Sequence, residues 1–392
     1  MNQDREEIIV AIKPFHIHVS DDTLDDLQYR LQHVRLPNQL EDSGWERGTD
    51  LRFLKSLLSY WRDHYDWRAQ ESKLNRLSQF HCEINEIDVH FVHERGKGPN
   101  PMPIILTHGW PDSFLRYQKI IPLLTDPASH GGDPEDAFDV IVPSLPGFGF
   151  SSRPTKPGFN NYSVSQMWAK LMTQELGYTK FAAAGGDIGS GVTRYLAANE
   201  PELLFGIHLT DVGLIRSLMT SQDAELSEEE VQYKKNASSW LANEGGYISM
   251  QSTKPQTLAY GLSDSPVGVA AWIIEKLRAW SDCKGDLSQR YSKDELLTHI
   301  MIYWVTNTIG SSTQMYYENS HSLPPLGHIE VPTGMAIFPA DIVLPPKSWA
   351  ERNLNITRWT TMPAGGHFTA MEEPEALAND IRAFYRPLRM KK

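Results

Sequence analysis

Between Phe181 and Val192 an apolar run enters the turn Gly185-Gly186-Asp187-Ile188-Gly189 and leaves as a helical pattern. Small residues flank the central acid because a sharp strand-to-helix turn leaves no room for Cβ atoms. A carboxylate at that apex stands above a sheet edge, with the amide of Ile188 aimed where an oxyanion would form. Taken alone, the segment reads equally well as a Gly-Asp turn or a helix N-cap. Three further pieces change the balance. His108-Gly109-Trp110-Pro111 follows the apolar run Ile104–Thr107 and offers the Trp110 amide as a second oxyanion donor, with His108 itself read as structural. Asp341 follows a run ending at Phe338, so its carboxylate falls at the C-terminal end of a strand. His367 follows the last strand in Gly365-Gly366-His367-Phe368. Asp341 by itself would pass for loop polarity, but nucleophile, acid and histidine in this order are hard to assemble by accident.

An aspartate nucleophile restricts the chemistry. A carboxylate is a poor catalyst of ester exchange, yet it displaces at saturated carbon and forms an alkyl ester that a histidine-activated water can hydrolyse. Epoxides and carbon–halogen bonds are the candidate substrates. Epoxide opening needs an acid near the departing oxygen, which a phenol that stays protonated at neutral pH can supply. Tyr247 and Tyr316 are the two chosen from fifteen tyrosines, although core packing is the ordinary fate of any one of them. Halide departure needs N–H donors around an anion, and Ile188 stands where a halide-binding tryptophan would be expected. A haloalkane or haloacid dehalogenase and a non-catalytic ligand-binding scaffold remain the alternatives. A serine esterase is excluded because no G-x-S-x-G occurs, and nucleotide binding is poorly supported because Gly147 to Ser152 lacks a third glycine.

These residues need a sheet to carry them. Ile104–Thr107, Phe138–Val142, Phe181–Ala184 and Phe205–Leu209 are short apolar runs separated by helical stretches, the spacing of βα units in a parallel sheet. Gly334–Phe338 and Ile356–Thr361 resume the pattern far downstream. The intervening residues look helical and aromatic, and read as a cap inserted into the sheet. The first hundred residues read as helices feeding one strand: Ser20 caps a helix carrying Leu24, Leu27 and Leu31, and Leu51 to Trp61 form a second. Ile87–His93 alternates and is expected to be a half-exposed strand. The architecture expected is an α/β-hydrolase fold with an N-terminal helical meander and an inserted helical cap. Its divisions are 1–100 for the meander and first strand, 101–213 for the first part of the core, 214–328 for the cap and 329–392 for the rest.

Composition narrows the partners. Lys plus Arg number 37 against 49 Asp plus Glu, a net charge of −12, the wrong sign for nucleic acid or an anionic membrane. Cys82 and Cys283 are the only cysteines among 392 residues, so no disulfide framework or cysteine-rich metal site is expected and a reducing, cytoplasmic setting is the simplest reading. The run Ile8 to Ile12 is too short and too acidic in its approach to be a signal peptide, and no apolar stretch is long enough to span a bilayer. The triplets at Asn161, Asn236 and Asn355 are read as chance matches to a glycosylation site, and His16 and His18 as surface residues rather than metal ligands.

Taken together, the chain resembles the microsomal type of epoxide hydrolase and its juvenile-hormone and fungal relatives over nearly its entire length. The resemblance rests on Phe15 to Asp22, Ser59 to Arg62, His108 to Pro111, Ile120 to Thr125, Pro146 to Ser151, Gly185 to Ser190, Thr253 to Pro255, Asp264 to Gly268 and Gly365 to Phe368. It implies Asp187 as nucleophile, Asp341 as the acid orienting the base His367, and Tyr247 and Tyr316 holding the oxirane oxygen. The oxyanion would rest on the amides of Trp110 and Ile188, and Trp110, Ile188, Tyr247 and Tyr316 would surround the substrate. A hydrophobic epoxide is the expected partner, with no cofactor, no nucleic acid and no membrane, and a homodimer is compatible with it. Two departures stand out: mammalian and insect members carry Trp where this chain has Ile188, and often Glu where it has Asp341, one methylene shorter. The membrane anchor of the microsomal enzymes is not expected here.

Overall fold

Every residue of Phe138–Pro143 and Phe181–Gly185 is buried, as befits strands covered on both faces. In the computed structural model, which describes residues 12–213 and 215–389, they lie at the middle of a mixed sheet. Of the run Ile8 to Ile12, only Ile12 falls within the described residues. The strands are β1 (Lys13–Phe15), β2 (Gln79–Ile84), β3 (Ile87–Glu94), β4 (Met102–Thr107), β5 (Phe138–Pro143), β6 (Phe181–Gly185), β7 (Leu204–Leu209), β8 (Ile329–Ile337) and β9 (Leu354–Thr361). Their order across the sheet is β1-β2-β3-β5-β4-β6-β7-β8-β9. β1, β2 and β3 pair antiparallel, β3 runs antiparallel to β5, and from β5 to β9 all neighbours are parallel. This is the α/β-hydrolase fold, with its strand order reversing around β4 and the C-terminal strand ends gathered on one edge.

The N-terminal hundred residues correct the sequence reading in two respects. They supply three strands, not one, because Gln79–Ile84 pairs with Ile87–Glu94 through the two-residue turn Asn85-Glu86, both at positive φ. And β3 is not half exposed. Flanked by β2 and β5, it is buried except at Asp88 and Glu94, and its His90 is satisfied internally by Ser144 Oγ at 2.9 Å and Gln79 Oε1 at 3.0 Å. An alternating pattern with buried, hydrogen-bonded histidines mimics a solvent-facing strand.

The helices that hold the cap form for local reasons. Ser20 and Asp50 cap Asp21–Gln32 and Leu51–Asp63 by accepting the amides of Thr23 and Phe53, and Leu54, Leu57, Leu58 and Trp61 bury the inner stripe of the second. Ser227 and Glu230 form a reciprocal capping box that starts Glu228–Glu244, so the acidic stretch there sits at the positive end of a helix dipole. From Glu228–Glu244 to Ile309–His321 the chain is helical, and the meander clamps this layer to the rest. From the meander, Tyr60 Oη donates to Asp294 at 2.8 Å and Thr49 Oγ1 to the Ala271 carbonyl at 2.7 Å, while Tyr303 Oη ties the layer directly to the Asp112 carbonyl after β4 at 2.6 Å. Beneath the sheet, Tyr385 on Pro374–Arg389 donates to the carbonyls of Ala183 and Gly206, tying the last helix to β6 and β7.

Candidate active site

Asp187 caps the helix Ile188–Asn199 with φ 57° and ψ −128°, a conformation costing of the order of 1–3 kcal/mol for a residue with a side chain. The surrounding glycines make it achievable. A Cβ on Gly189 would lie 1.9 Å from the Thr107 carbonyl oxygen, and one on Gly109 would strike the Asp187 carboxylate at 2.3 Å. The turn therefore needs bare backbone at the start of the helix Ile188–Asn199 and in the loop after β4 at once.

The carboxylate is held at one oxygen and left open to the base at the other. Oδ1 accepts the Trp110 amide at 2.8 Å, and the Ile188 amide also donates to the group. Oδ2 faces His367 Nε2 at 3.4 Å. His367 Nδ1 donates to Asp341 Oδ1 at 2.7 Å, which fixes the tautomer. The loop carrying His367 is itself pinned: its amide donates to the Trp280 carbonyl at 2.7 Å, and the buried Arg116, paired to Asp112 at 2.8 Å, donates to the His367 carbonyl. Burial opposes a charge on His367, but Asp341 and Asp187 outweigh it and raise its pKa to about 10. Burial likewise pushes Asp187 upward, yet His367 and the amides of Trp110 and Ile188 hold it below the usual carboxylate range. The resting pair is thus carboxylate and imidazolium.

The two cap tyrosines reach the same point from different helices, Tyr247 on Gly246–Thr253 and Tyr316 on Ile309–His321. Their phenols hydrogen-bond each other, and burial raises both pKa values well above the ordinary phenol, so both stay protonated. Tyr247 stacks on the Trp110 indole and Tyr316 meets it edge-on with centroids 5.8 Å apart. A cavity of about 160 Å³ opens here, bounded by Asp187, His367, Tyr233, Trp240, Tyr247 and Ile248 among others. Ile188 contributes its amide, but its side chain is not part of that wall. A roomier cavity of about 760 Å³ between the meander and the helix Pro266–Trp280 touches none of these residues. His108 is buried, donates Nδ1 to Gly109 and accepts the Leu145 amide at Nε2, which makes it a loop brace. His16 and His18 are exposed, and among the described residues no group of His, Cys, Asp or Glu is assembled for a metal ion.

Three neighbours escaped the sequence reading. Asp211 follows β7 and shares the cavity; the rule that finds Asp341, an acid just past a strand, also points to it. Trp280 has no such signal: its ring lies 5.2 Å from Tyr247 and 5.4 Å from His367, contacts that only the cap's packing creates. Arg116 is equally silent in sequence.

An α/β-hydrolase with aspartate at the elbow, histidine and acid after later strands and two cap tyrosines is a narrow class. Residues 12–117 match the family described as "Epoxide hydrolase N terminus", and residues 102–245 match "alpha/beta hydrolase fold". The chain is 44% identical to a putative epoxide hydrolase of Stigmatella aurantiaca, covering 97% of this chain and 86% of that protein. It is 39% identical to epoxide hydrolase 1 of Sus scrofa, covering 95% and 88%. The crystal structure of juvenile hormone epoxide hydrolase from Bombyx mori superposes with a TM-score of 0.85 at 29% identity, covering 98% of this chain and 96% of that one. The chain belongs to the epoxide hydrolases, enzymes that hydrolyse epoxides. Among the described residues no helix is long and apolar enough to cross a membrane.

Proposed function

We propose that the chain converts a hydrophobic epoxide and water into a vicinal diol through a hydroxyalkyl ester on Asp187. The observation that carries this reading is the Asp187 carboxylate itself, with one oxygen bound by the Trp110 amide at 2.8 Å and the other turned to His367 at 3.4 Å. Oδ2 is the free nucleophile. It attacks an oxirane carbon while the phenols of Tyr247 and Tyr316 hold the ring oxygen, and the carbon–oxygen bond breaks to an alkoxide that takes a phenol proton.

Ester formation removes the charge of Asp187, one of the two that keep His367 protonated. The imidazolium then releases its proton toward the tyrosine–alkoxide pair and becomes the base for the second step. Held by Asp341, it takes a proton from water as the hydroxide adds to the Asp187 carbonyl carbon. The tetrahedral oxyanion rests on the amides of Trp110 and Ile188, and its collapse expels the diol and restores the carboxylate. The indole N–H groups of Trp110 and Trp280 are buried without a protein partner, which is the donor chemistry that halide departure would use, so a haloalkane dehalogenase is the second reading.

One experiment separates these. Enzyme in excess over styrene oxide in oxygen-18 water is to give a first-turnover diol with unlabelled oxygen and label in the Asp187 peptide after further cycles. Labelled diol with an unlabelled peptide would mean direct attack by water. Chloride or bromide release from a haloalkane panel, with no diol from epoxides, would select the second reading.

A further inference from the structure

We propose that Asp211 is a positioning residue that braces the nucleophile's strained backbone and, as a fixed negative charge behind it, speeds attack on the epoxide while slowing ester hydrolysis. The proposal rests on the ester route through Asp187. Its geometric basis is a two-way clip between the elbow and the end of β7. Asp211 Oδ2 accepts the Asp187 amide at 2.5 Å, and Ser190 Oγ donates to the Asp211 carbonyl at 2.8 Å. The amide so held belongs to the residue at φ 57°, which needs an external acceptor to stay there.

The charge follows from the same contact. An amide and its own carboxyl carbon are separated by about 3–4 Å of covalent framework, so the two carboxylates lie close together. Around Asp211 stand Asp187 on the elbow, Arg194 on the helix Ile188–Asn199, Asp341 past β8, His367 past β9, and Tyr233 on the cap helix Glu228–Glu244. Tyr117 also feels it from the segment after β4, and Arg116 approaches the same glycine, Gly186, that Asp211 does. Burial and then Asp341 raise the Asp211 pKa to about 6, with His367 opposing, so the group is largely ionised at neutral pH and titrates just below it.

During attack, one negative charge leaves Asp187 for the oxirane oxygen among the tyrosines, away from Asp211. A fixed carboxylate behind the nucleophile favours that migration. In the second step the tetrahedral oxyanion brings the charge back to Asp187, and the same carboxylate now opposes it. A residue that only supports the fold would affect both half-reactions in the same direction, whereas Asp211 acts on them with opposite signs.

Asp211→Asn keeps an oxygen for the Asp187 amide and removes the charge. In rapid-quench single turnovers with styrene oxide, ester formation on Asp187 is to fall roughly tenfold and ester decay to rise severalfold. Equal losses in both steps, or changes within twofold, overturn the proposal. A second measurement does not depend on that variant folding. In His367→Gln, which retains the ester and removes the competing imidazole, the rate of ester formation is to climb in two steps, one as the nucleophile Asp187 ionises and one at or above about pH 6, where Asp211 does. A rise in a single step, or no rise, between about pH 3 and 9 overturns it. Absence of any ester on Asp187, in the parent and in His367→Gln alike, overturns the ester route itself and this role of Asp211 with it.

Discussion

Tyr247 lies flat against Trp110, with ring centroids 5.4 Å apart and planes 10° from parallel. One residue of the loop after β4 thus has two tasks: its amide binds the Asp187 carboxylate, and its indole is the shelf on which the cap's tyrosines rest. A cap inserted between β7 and β8 is thereby registered against a turn at the end of β6.

Trp110→Leu preserves the amide and removes the shelf. Ester formation is expected to drop about a hundredfold, the scale of a misplaced reacting group, while decay of ester already formed changes less than tenfold. Rapid-quench measurement of the two steps checks this. An equal loss in both would assign Trp110 to the oxyanion site alone.

Tyr247→Phe and Tyr316→Phe each remove one donor from a hydrogen-bonded pair. Each single variant is expected to slow ester formation by about 10²-fold, the usual contribution of a positioned acid, and the double variant to abolish it. Because burial holds both phenols far above their ordinary pKa, the parent enzyme is to show no loss of ester formation from tyrosine ionisation up to pH 9. A stopped-flow pH profile tests that.

The elbow and the histidine loop were legible because backbone geometry demands particular residues: Gly189 packs against the Thr107 carbonyl, and no other residue fits. The choice of Tyr247 and Tyr316 rests on the need for a phenolic acid in the cap and on the resemblance, since nothing in helix periodicity distinguishes them from Tyr233 or Tyr303. Trp280 and Arg116 were illegible for a stronger reason. Their roles consist of contacts to His367 across 87 and 251 residues, Trp280 through its carbonyl and Arg116 through its guanidinium, and no local pattern encodes such closure. The missed strand β2 had a local signal: Gln79–Ile84 alternates polar Gln79, His81 and Glu83 with apolar Phe80, Cys82 and Ile84, the period that marks β3, whereas β1 spans only three residues and shows none.

Asp341→Asn leaves the size of the His367 partner unchanged but removes the carboxylate that accepts from Nδ1 at 2.7 Å. The imidazole then loses both its fixed tautomer and the charge that stabilises its protonated form. Ester decay is expected to slow about a thousandfold or more while ester formation falls less than tenfold, so the covalent intermediate accumulates under steady turnover. Intact-protein mass spectrometry during turnover reads the outcome directly.

Asp380 tests the scaffold apart from the chemistry. Buried on the last helix, it binds His208 at 2.8 Å and Arg358 and Thr360 at 2.7 Å each; burial raises its pKa, but these partners bring it down to about 2. Asp380→Ala strands a buried histidine and a half-buried guanidinium under β7 and β9, at a cost of about 3 kcal/mol. Denaturant melts are to show that loss, and the ester-forming rate per folded molecule is to stay within twofold.

His367 links the mechanism to stability, and the sign follows from its raised pKa. The folded protein holds the imidazolium proton up to about pH 10, whereas the unfolded chain releases it near the ordinary histidine value of about 6.5. Between those values the folded state binds more protons, so raising the pH removes stability across that window, and the contribution is complete only below about pH 6.5. Thermal melts of the parent are therefore expected to fall steadily from pH 6.5 to 10. In His367→Gln the fall should be much shallower, because the Asp187 and Asp341 carboxylates no longer share a titrating cation. Matching slopes for the two proteins would place the proton elsewhere and remove the resting imidazolium from the proposed cycle.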